Sequence, residues 1–312
     1  MTRIDLITGF LGSGKTTFLL GYARYLLKKG ERIGIFTFDR GPVNVDLPFF
    51  RELRGENCEI EMLAGCCDAE SHQRRFKTRL IAMGMSGYDR VLLEPSGVFD
   101  VDEFYDTLQE PPLDRWYEIG SVIAVADAKL EDGLGDDADY LLASQAAGAG
   151  CILLSRTQLA SEEEIAGTVR HLKEAFRKIR CSEPVEERIF AKDWSALTDE
   201  DYGRLSRCGR RAADFEKTVA GRALDFHSVS LLDLPLGRAQ AEERIRKLFS
   251  EPETYGGILR VKGILEEDGS WLQINATKKE TNVSPAPPGG RAMLVIGSSL
   301  KEDAISALLK AE

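Results

Sequence analysis

The sequence predicts an α/β fold: a doubly wound, mostly parallel sheet followed by a smaller C-terminal α+β domain. Three observations lead there. Apolar strand-like runs alternate with amphipathic helical stretches through residues 1–180, the pattern of a parallel sheet with crossover helices. A glycine-rich turn carrying a lysine, Gly9 to Thr17, sits between the first strand and the first helix. From about Phe226 short strands follow one another with few helices, so the domains are read as 1–225 and 226–312.

Arg3 to Thr8 reads as a buried strand. Thr17 to Lys29 reads as a helix with Phe18, Leu19, Tyr22, Leu26 and Leu27 on one stripe. Arg32 to Phe38 is a second strand, Glu59 to Leu63 a third, and Glu70 to Met85 a helix. Asp89 to Glu94 and Gly120 to Asp127 are buried strands, each ending in an acid. Asp137 to Gly148 reads as a helix and Cys151 to Leu154 as a strand. Ser161 opens a further helix, with Glu164 at capping-box spacing. Residues 181–225 give little pattern, and Arg204, Arg207, Arg210 and Arg211 there read either as a solvated helix face or as a partner surface. Beyond them, Phe226 to Leu232, Gly256 to Leu265, Trp271 to Ala276 and Ala292 to Ile296 are strands. Gly237 to Phe249 and Lys301 to Lys310 are helices, and Ser284 to Gly290, rich in Pro and Gly, is a loop.

The 312 residues, 43% hydrophobic and 29% charged, have the composition of a globular protein. A net charge of -10 argues against nucleic-acid binding and against a basic membrane-surface patch. No apolar run approaches the roughly 20 residues of a membrane span, and no signal peptide precedes the first strand. Cys58, Cys66, Cys67, Cys151, Cys181 and Cys208 lack the density of a disulfide framework. The expectation is a protein of a reducing, cytoplasmic compartment.

Gly9, four residues, Gly14, Lys15 and Thr16 fit G-x-x-x-x-G-K-[ST] at every fixed position, which makes the sheet one of P-loop NTPase type. Glycines let such a loop curl until several backbone N–H groups face one anion. The following helix adds about half a unit of positive charge at its start. Gly9, Gly12, Ser13, Gly14, Lys15, Thr16 and Thr17 are thus the candidate phosphate-binding set. Lys15 reaches the β- and γ-phosphates, and the Thr16 hydroxyl ligates Mg²⁺. Glu94 ends a buried strand beside the loop, where it can hold Mg²⁺ or orient the attacking water, and the Gly97 N–H can meet the γ-phosphate. Asp39 ends the second strand and is read either as a Mg²⁺ ligand or general base, or as a cap. Cys66 and Cys67, with His72 nearby, are read either as Zn²⁺ ligands or as a pair of small buried residues. Cys151 is read as core.

Together these segments resemble the CobW-like GTPases, P-loop proteins related to nitrile hydratase activators and to urease and hydrogenase accessory proteins. The opening GFLGSGKTT, Glu94-Pro95-Ser96-Gly97, the strand from Val122 to Ala128, Gln145, Arg260-Val261-Lys262-Gly263 and Trp271-Leu272-Gln273-Ile274 carry the resemblance. Three departures matter. The family's C-x-C-C loop falls on Cys66, Cys67, Asp68 and Ala69, with one sulfur on a motif position. Its Asn-Glu-Phe-Gly-Glu stretch falls on Phe38 to Pro42, keeping an acid at Asp39. Its base-reading Asn-Lys-x-Asp falls on Ser155, Arg156, Thr157 and Gln158. A hydrogen bond to a charged group contributes about 1.5–3 kcal/mol. Losing one or two of them through Gln158 weakens guanine preference by about ten- to a thousandfold.

The resemblance implies a slow Mg²⁺-dependent GTPase, with ATP as the other candidate nucleotide. It implies delivery of a metal or organic cofactor, in a cobalamin or metallocentre context, to a client metalloprotein or cofactor-dependent enzyme. It allows a homodimer. A second reading is a nucleotide-binding scaffold with little turnover; a third is a metal-binding protein using Cys66 and Cys67.

Overall fold

The computed structural model describes residues 1–38, 46–63, 65, 69–130, 134–216 and 226–311. They form two compact units. Residues 46–52 and 65 go with the C-terminal unit; the other described residues up to 216 form the first. The division is therefore not contiguous: 46–52 lie in the stretch that the sequence places in the first domain.

The first unit runs β1 (Thr2–Thr8), α1 (Lys15–Lys28), β2 (Ile33–Phe38), then, past the α2 turn (Leu47–Phe50) of the second unit, β3 (Cys58–Leu63) and α3 (Ala69–Met85). It continues through β4 (Arg90–Glu94), α4 (Val101–Gln109), α5 (Leu113–Trp116), β5 (Tyr117–Asp127), α6 (Asp136–Ala147), β6 (Cys151–Ser155), α7 (Glu162–Lys178), β7 (Ile189–Ala191) and α8 (Asp199–Leu205). The strands form one seven-stranded sheet in the order β3-β2-β4-β1-β5-β6-β7. All six pairings are parallel. Ile4, Leu6, Ile7, Val91, Leu92, Leu93, Ile123 and Val125 are buried because helices cover both faces of such a sheet. From β1 the chain goes one way to β2 and the other way to β5. The carboxyl end of β1 is therefore the switch point where open α/β sheets bind ligands.

Helix α1 is fixed by aromatics. Phe18, Tyr22 and Tyr25 each stack on Tyr202 of α8, with ring centroids 5.5–6.4 Å apart. Gly21 makes room: a Cβ there would lie 2.4 Å from the Tyr202 hydroxyl.

A buried ion pair, Asp5 of β1 with Arg90 of β4, sits inside the sheet. Asp5 is fully buried, and its Oδ1 accepts the Ser121 N–H at 2.7 Å. Its Oδ2 accepts Tyr22 Oη–H at 2.7 Å and Arg90 Nη1–H at 2.6 Å. The β1–β5 register slips between Ile4 and Leu6 because the carboxylate takes over one rung of the ladder. A Cβ at Gly120 would lie 2.2 Å from Oδ1, so only glycine fits. Desolvation pushes the Asp5 carboxyl above its usual range, against the pull of Arg90.

The second unit comprises β8 (His227–Leu232), α9 (Arg238–Ser250), α10 (Pro252–Tyr255), β9 (Gly257–Glu267), β10 (Ser270–Ala276), β11 (Thr281–Pro285), β12 (Ala292–Ser298) and α11 (Glu302–Lys310). Its five strands are antiparallel in the order β11-β10-β9-β12-β8. One face packs Val229, Val261, Ile274 and Val295 with Ile245 and Leu248 of α9 and Ile305 and Leu309 of α11. On the other face Ile264 and Ala292 meet Phe49 of α2, Trp271 and Ala286. Asp46, just before α2, pairs with Lys262 at 2.6 Å and accepts from Gln273. The α2 turn is thus seated on this sheet by the lysine of Arg260-Val261-Lys262-Gly263.

Two expectations need correction. Ser284 and Pro285 belong to edge strand β11, where an exposed edge tolerates proline. Of the four arginines, only Arg204 is helical. Its guanidinium lies over Phe190, and Arg210 bridges to Ala149 and covers Tyr105.

Candidate nucleotide site

Buried β1 delivers the chain to the carboxyl edge, and the loop from Gly9 to Gly14 turns it into α1. Gly9, Gly12 and Gly14 have φ of 141°, 83° and 98°, values that side chains resist. Gly9 is also pressed against β5: a Cβ would lie 2.2 Å from the Val125 carbonyl oxygen. The Ser13 N–H donates to Phe10 O at 3.3 Å, closing the curl. Lys15 is buried and arches back over the loop, donating through Nζ to Gly9 O at 2.8 Å and to Phe10 O at 3.4 Å. The Ser13 hydroxyl is buried without a hydrogen-bond partner. The loop is coiled, as the glycine spacing requires. Thr17 continues α1.

Glu94 ends β4, next to β1 in the sheet, and is buried. Thr16 Oγ1 donates to its Oε1 at 2.6 Å, bringing together two residues far apart in the chain. Gly97 lies against the same loop, where a Cβ would be 2.7 Å from the Leu11 nitrogen. Gln145 Nε2 donates to Gly97 O at 3.1 Å and Phe99 O at 3.2 Å, pinning the turn after β4. Its role as a clamp is visible only in space.

At the next strand ends, Ser155 closes β6 and its hydroxyl reaches Ala126 O at 3.4 Å. Arg156 takes a left-handed φ of 57°, and its guanidinium pairs with Asp127 Oδ2 at 2.9 Å. Gln158 is exposed. Trp194, which belongs to no sequence motif, donates Nε1–H to Leu154 O at 2.9 Å. Its ring edge lies 3.2 Å from where a Gly14 Cβ would be, and Ser155 Cβ lies 3.5 Å from the same point. Nothing along the chain marks Trp194, because the strand before it, β7, is only three residues long.

Asp39, Cys66 and Cys67 lie outside the described residues. His72 faces Glu103 at 3.2 Å and the Phe38 ring at 5.2 Å. Among the described residues, no group of three or more His, Cys, Asp and Glu side chains is placed to hold a metal ion. Burial pushes the thiols of Cys58 and Cys208 up to about 11 and that of Cys151 up to about 12, which favours the unreactive protonated form; Cys58 and Cys151 are core residues and Cys208 is half-buried.

A parallel sheet with a coiled glycine–lysine loop at its switch point defines a nucleotide-binding protein of P-loop NTPase type. Residues 3–186 match the nucleotide-binding domain described as CobW/HypB/UreG, and residues 229–312 match the cobalamin synthesis protein cobW C-terminal domain. The chain belongs to the CobW/HypB/UreG family. It is 25% identical to the zinc chaperone YeiR of Escherichia coli (strain K12), over 99% of this chain and 98% of that one. It is 26% identical to the zinc chaperone YjiA of the same strain, over 97% and 96%. It is 22% identical to the zinc-regulated GTPase metalloprotein activator 1 of Schizosaccharomyces pombe (strain 972 / ATCC 24843), over 93% and 79%. No helix among the described residues is long and apolar enough to cross a membrane.

Proposed function

We propose that this chain is a Mg²⁺-dependent nucleoside triphosphatase of low turnover whose nucleotide state drives delivery of a metal to a client protein. The observation that carries the proposal is the Thr16 hydroxyl and Glu94 carboxylate, 2.6 Å apart beside a coiled loop that Lys15 bridges. These are hard oxygen donors of the kind Mg²⁺ prefers, and when bound the ion offsets charge on phosphate oxygens. Lys15 exchanges the Gly9 and Phe10 carbonyls for β- and γ-phosphate oxygens. The loop amides and the partnerless Ser13 hydroxyl add neutral donors. Water attacks the γ-phosphorus, the bond from phosphorus to the β–γ bridging oxygen breaks, and nucleoside diphosphate and inorganic phosphate leave. Glu94 orients that water from its buried strand end. Asp39 takes its assignment from sequence position alone.

Gln158 has no ionised carboxylate for guanine, so GTP and ATP are both substrates in this proposal. The names of the two bacterial relatives favour zinc as the cargo, and that of the Schizosaccharomyces pombe relative favours a metalloprotein as the client; Cys66 and Cys67 are the first candidate ligands by sequence position. Phosphate release with GTP and with ATP, each with and without zinc, tests the reading. Slow release that Lys15→Ala lowers by about a hundred- to a thousandfold is expected. Gln158→Asp is expected to shift preference toward GTP by about tenfold, one charged hydrogen bond. The exposed Gln158 also favours a second reading, a nucleotide-held scaffold. No release under any condition, alongside nucleotide-dependent thermal stabilisation, decides for it.

A further inference from the structure

We propose that Trp194 is the wall against which the nucleotide base stacks, giving this chain affinity for purine nucleotides with little regard to which purine is bound. The assignment rests on the reading of Gly9 to Thr16 as the phosphate loop.

Three observations place the indole there. It spans two loops: Nε1 holds the Leu154 carbonyl at the end of β6, and the far ring edge meets Gly14 at the start of α1. Ser155, first residue of the base-side turn, reaches the same point. Trp194 and Ser155 thus flank Gly14 together, on the side of the loop where the phosphate-loop reading puts the nucleoside. The ring is also fixed before anything binds. Its one donor is satisfied, and the Phe18 ring supports it at 5.9 Å with a 59° tilt. A held, partly exposed aromatic loses little entropy on binding. Finally, among the described residues the turn offers little else to read a base: Arg156 pairs with Asp127, and Gln158 is neutral and exposed. Stacking needs only a π-face, which every base has. Gly14 serves both ends, since a side chain would strain its φ of 98° and crowd the indole.

The test is competition binding of GTP, ATP and inorganic tripolyphosphate, a ligand without a base, to wild-type protein, Trp194→Ala and Trp194→Phe. Trp194→Ala is expected to weaken GTP and ATP by a similar factor, about ten- to a hundredfold. Tripolyphosphate affinity is expected to stay unchanged, which also shows that the variant is folded. Trp194→Phe is expected to recover most of the loss. Equal weakening of tripolyphosphate would mean that Trp194 only props the loop, and unchanged nucleotide affinity would mean that no base touches it; either result overturns the assignment. Wild-type protein that binds none of the three overturns the phosphate-loop reading, and this assignment falls with it.

Discussion

Strand β1 carries two polar assemblies of opposite kind. At its carboxyl end, Gly9 to Thr16 forms a coil of main chain shaped by three positive-φ glycines, with one lysine bridging it. Within the strand, Asp5 is sealed from water, with Ser121, Tyr22 and Arg90 as partners. The coil keeps its lysine on weak, exchangeable carbonyl partners, which suits a site that receives an anion. The Asp5 cluster satisfies a desolvated charge internally, which suits a structural pin. The two should therefore fail differently: damage to the pin costs the fold, and damage to the coil costs the ligand.

The largest effect is expected at the pin. Arg90→Met leaves Asp5 buried without its cation, which should cost about 3–5 kcal/mol of stability. Urea unfolding measures it, and nucleotide affinity of the remaining folded protein should be unchanged. Next is the coil. Lys15→Ala should lower phosphate release by about a hundred- to a thousandfold, the scale for losing one preorganised transition-state donor. Its melting temperature should stay near wild type, and a collapse of stability would erase the contrast. A smaller effect is expected in the second unit, where Lys262→Met should cost about 1.5–3 kcal/mol through the Asp46 pair. Asp46→Asn combined with Lys262→Met should cost less than the sum of the two single changes. The smallest concerns Asp201, held down at about 2 by Lys192 and by the Thr198 N–H at the start of α8. Its folded pKa lies below the unfolded value of about 3.9, so its contribution is complete above about pH 4 and fades as pH falls toward 2. The difference in melting temperature between wild type and Asp201→Asn should shrink over that interval.

The coil was readable because its demands are local. Glycines at fixed spacing, a lysine and a hydroxyl occur within nine residues, and the flanking strand and helix have clear periods. The pin was not. Asp5 sits in an apolar run, and its main partner, Arg90, is 85 positions away. Strand β7 and helix α8 leave no mark in the sequence because three and seven residues are too short to set a period. Strand β11 hid in a stretch of polar residues and proline, since an exposed edge strand has no buried face to mark it. Trp194 belongs to the site only through space: nothing in its neighbourhood along the chain hints that it touches Gly14.

The most direct measurement is amide hydrogen exchange across residues 9–17, with and without a non-hydrolysable nucleoside triphosphate and Mg²⁺. Protection concentrated on Gly12 to Thr17, and absent in Lys15→Ala, is the predicted result. Nucleotide binding that leaves those amides exchanging as before would contradict the account.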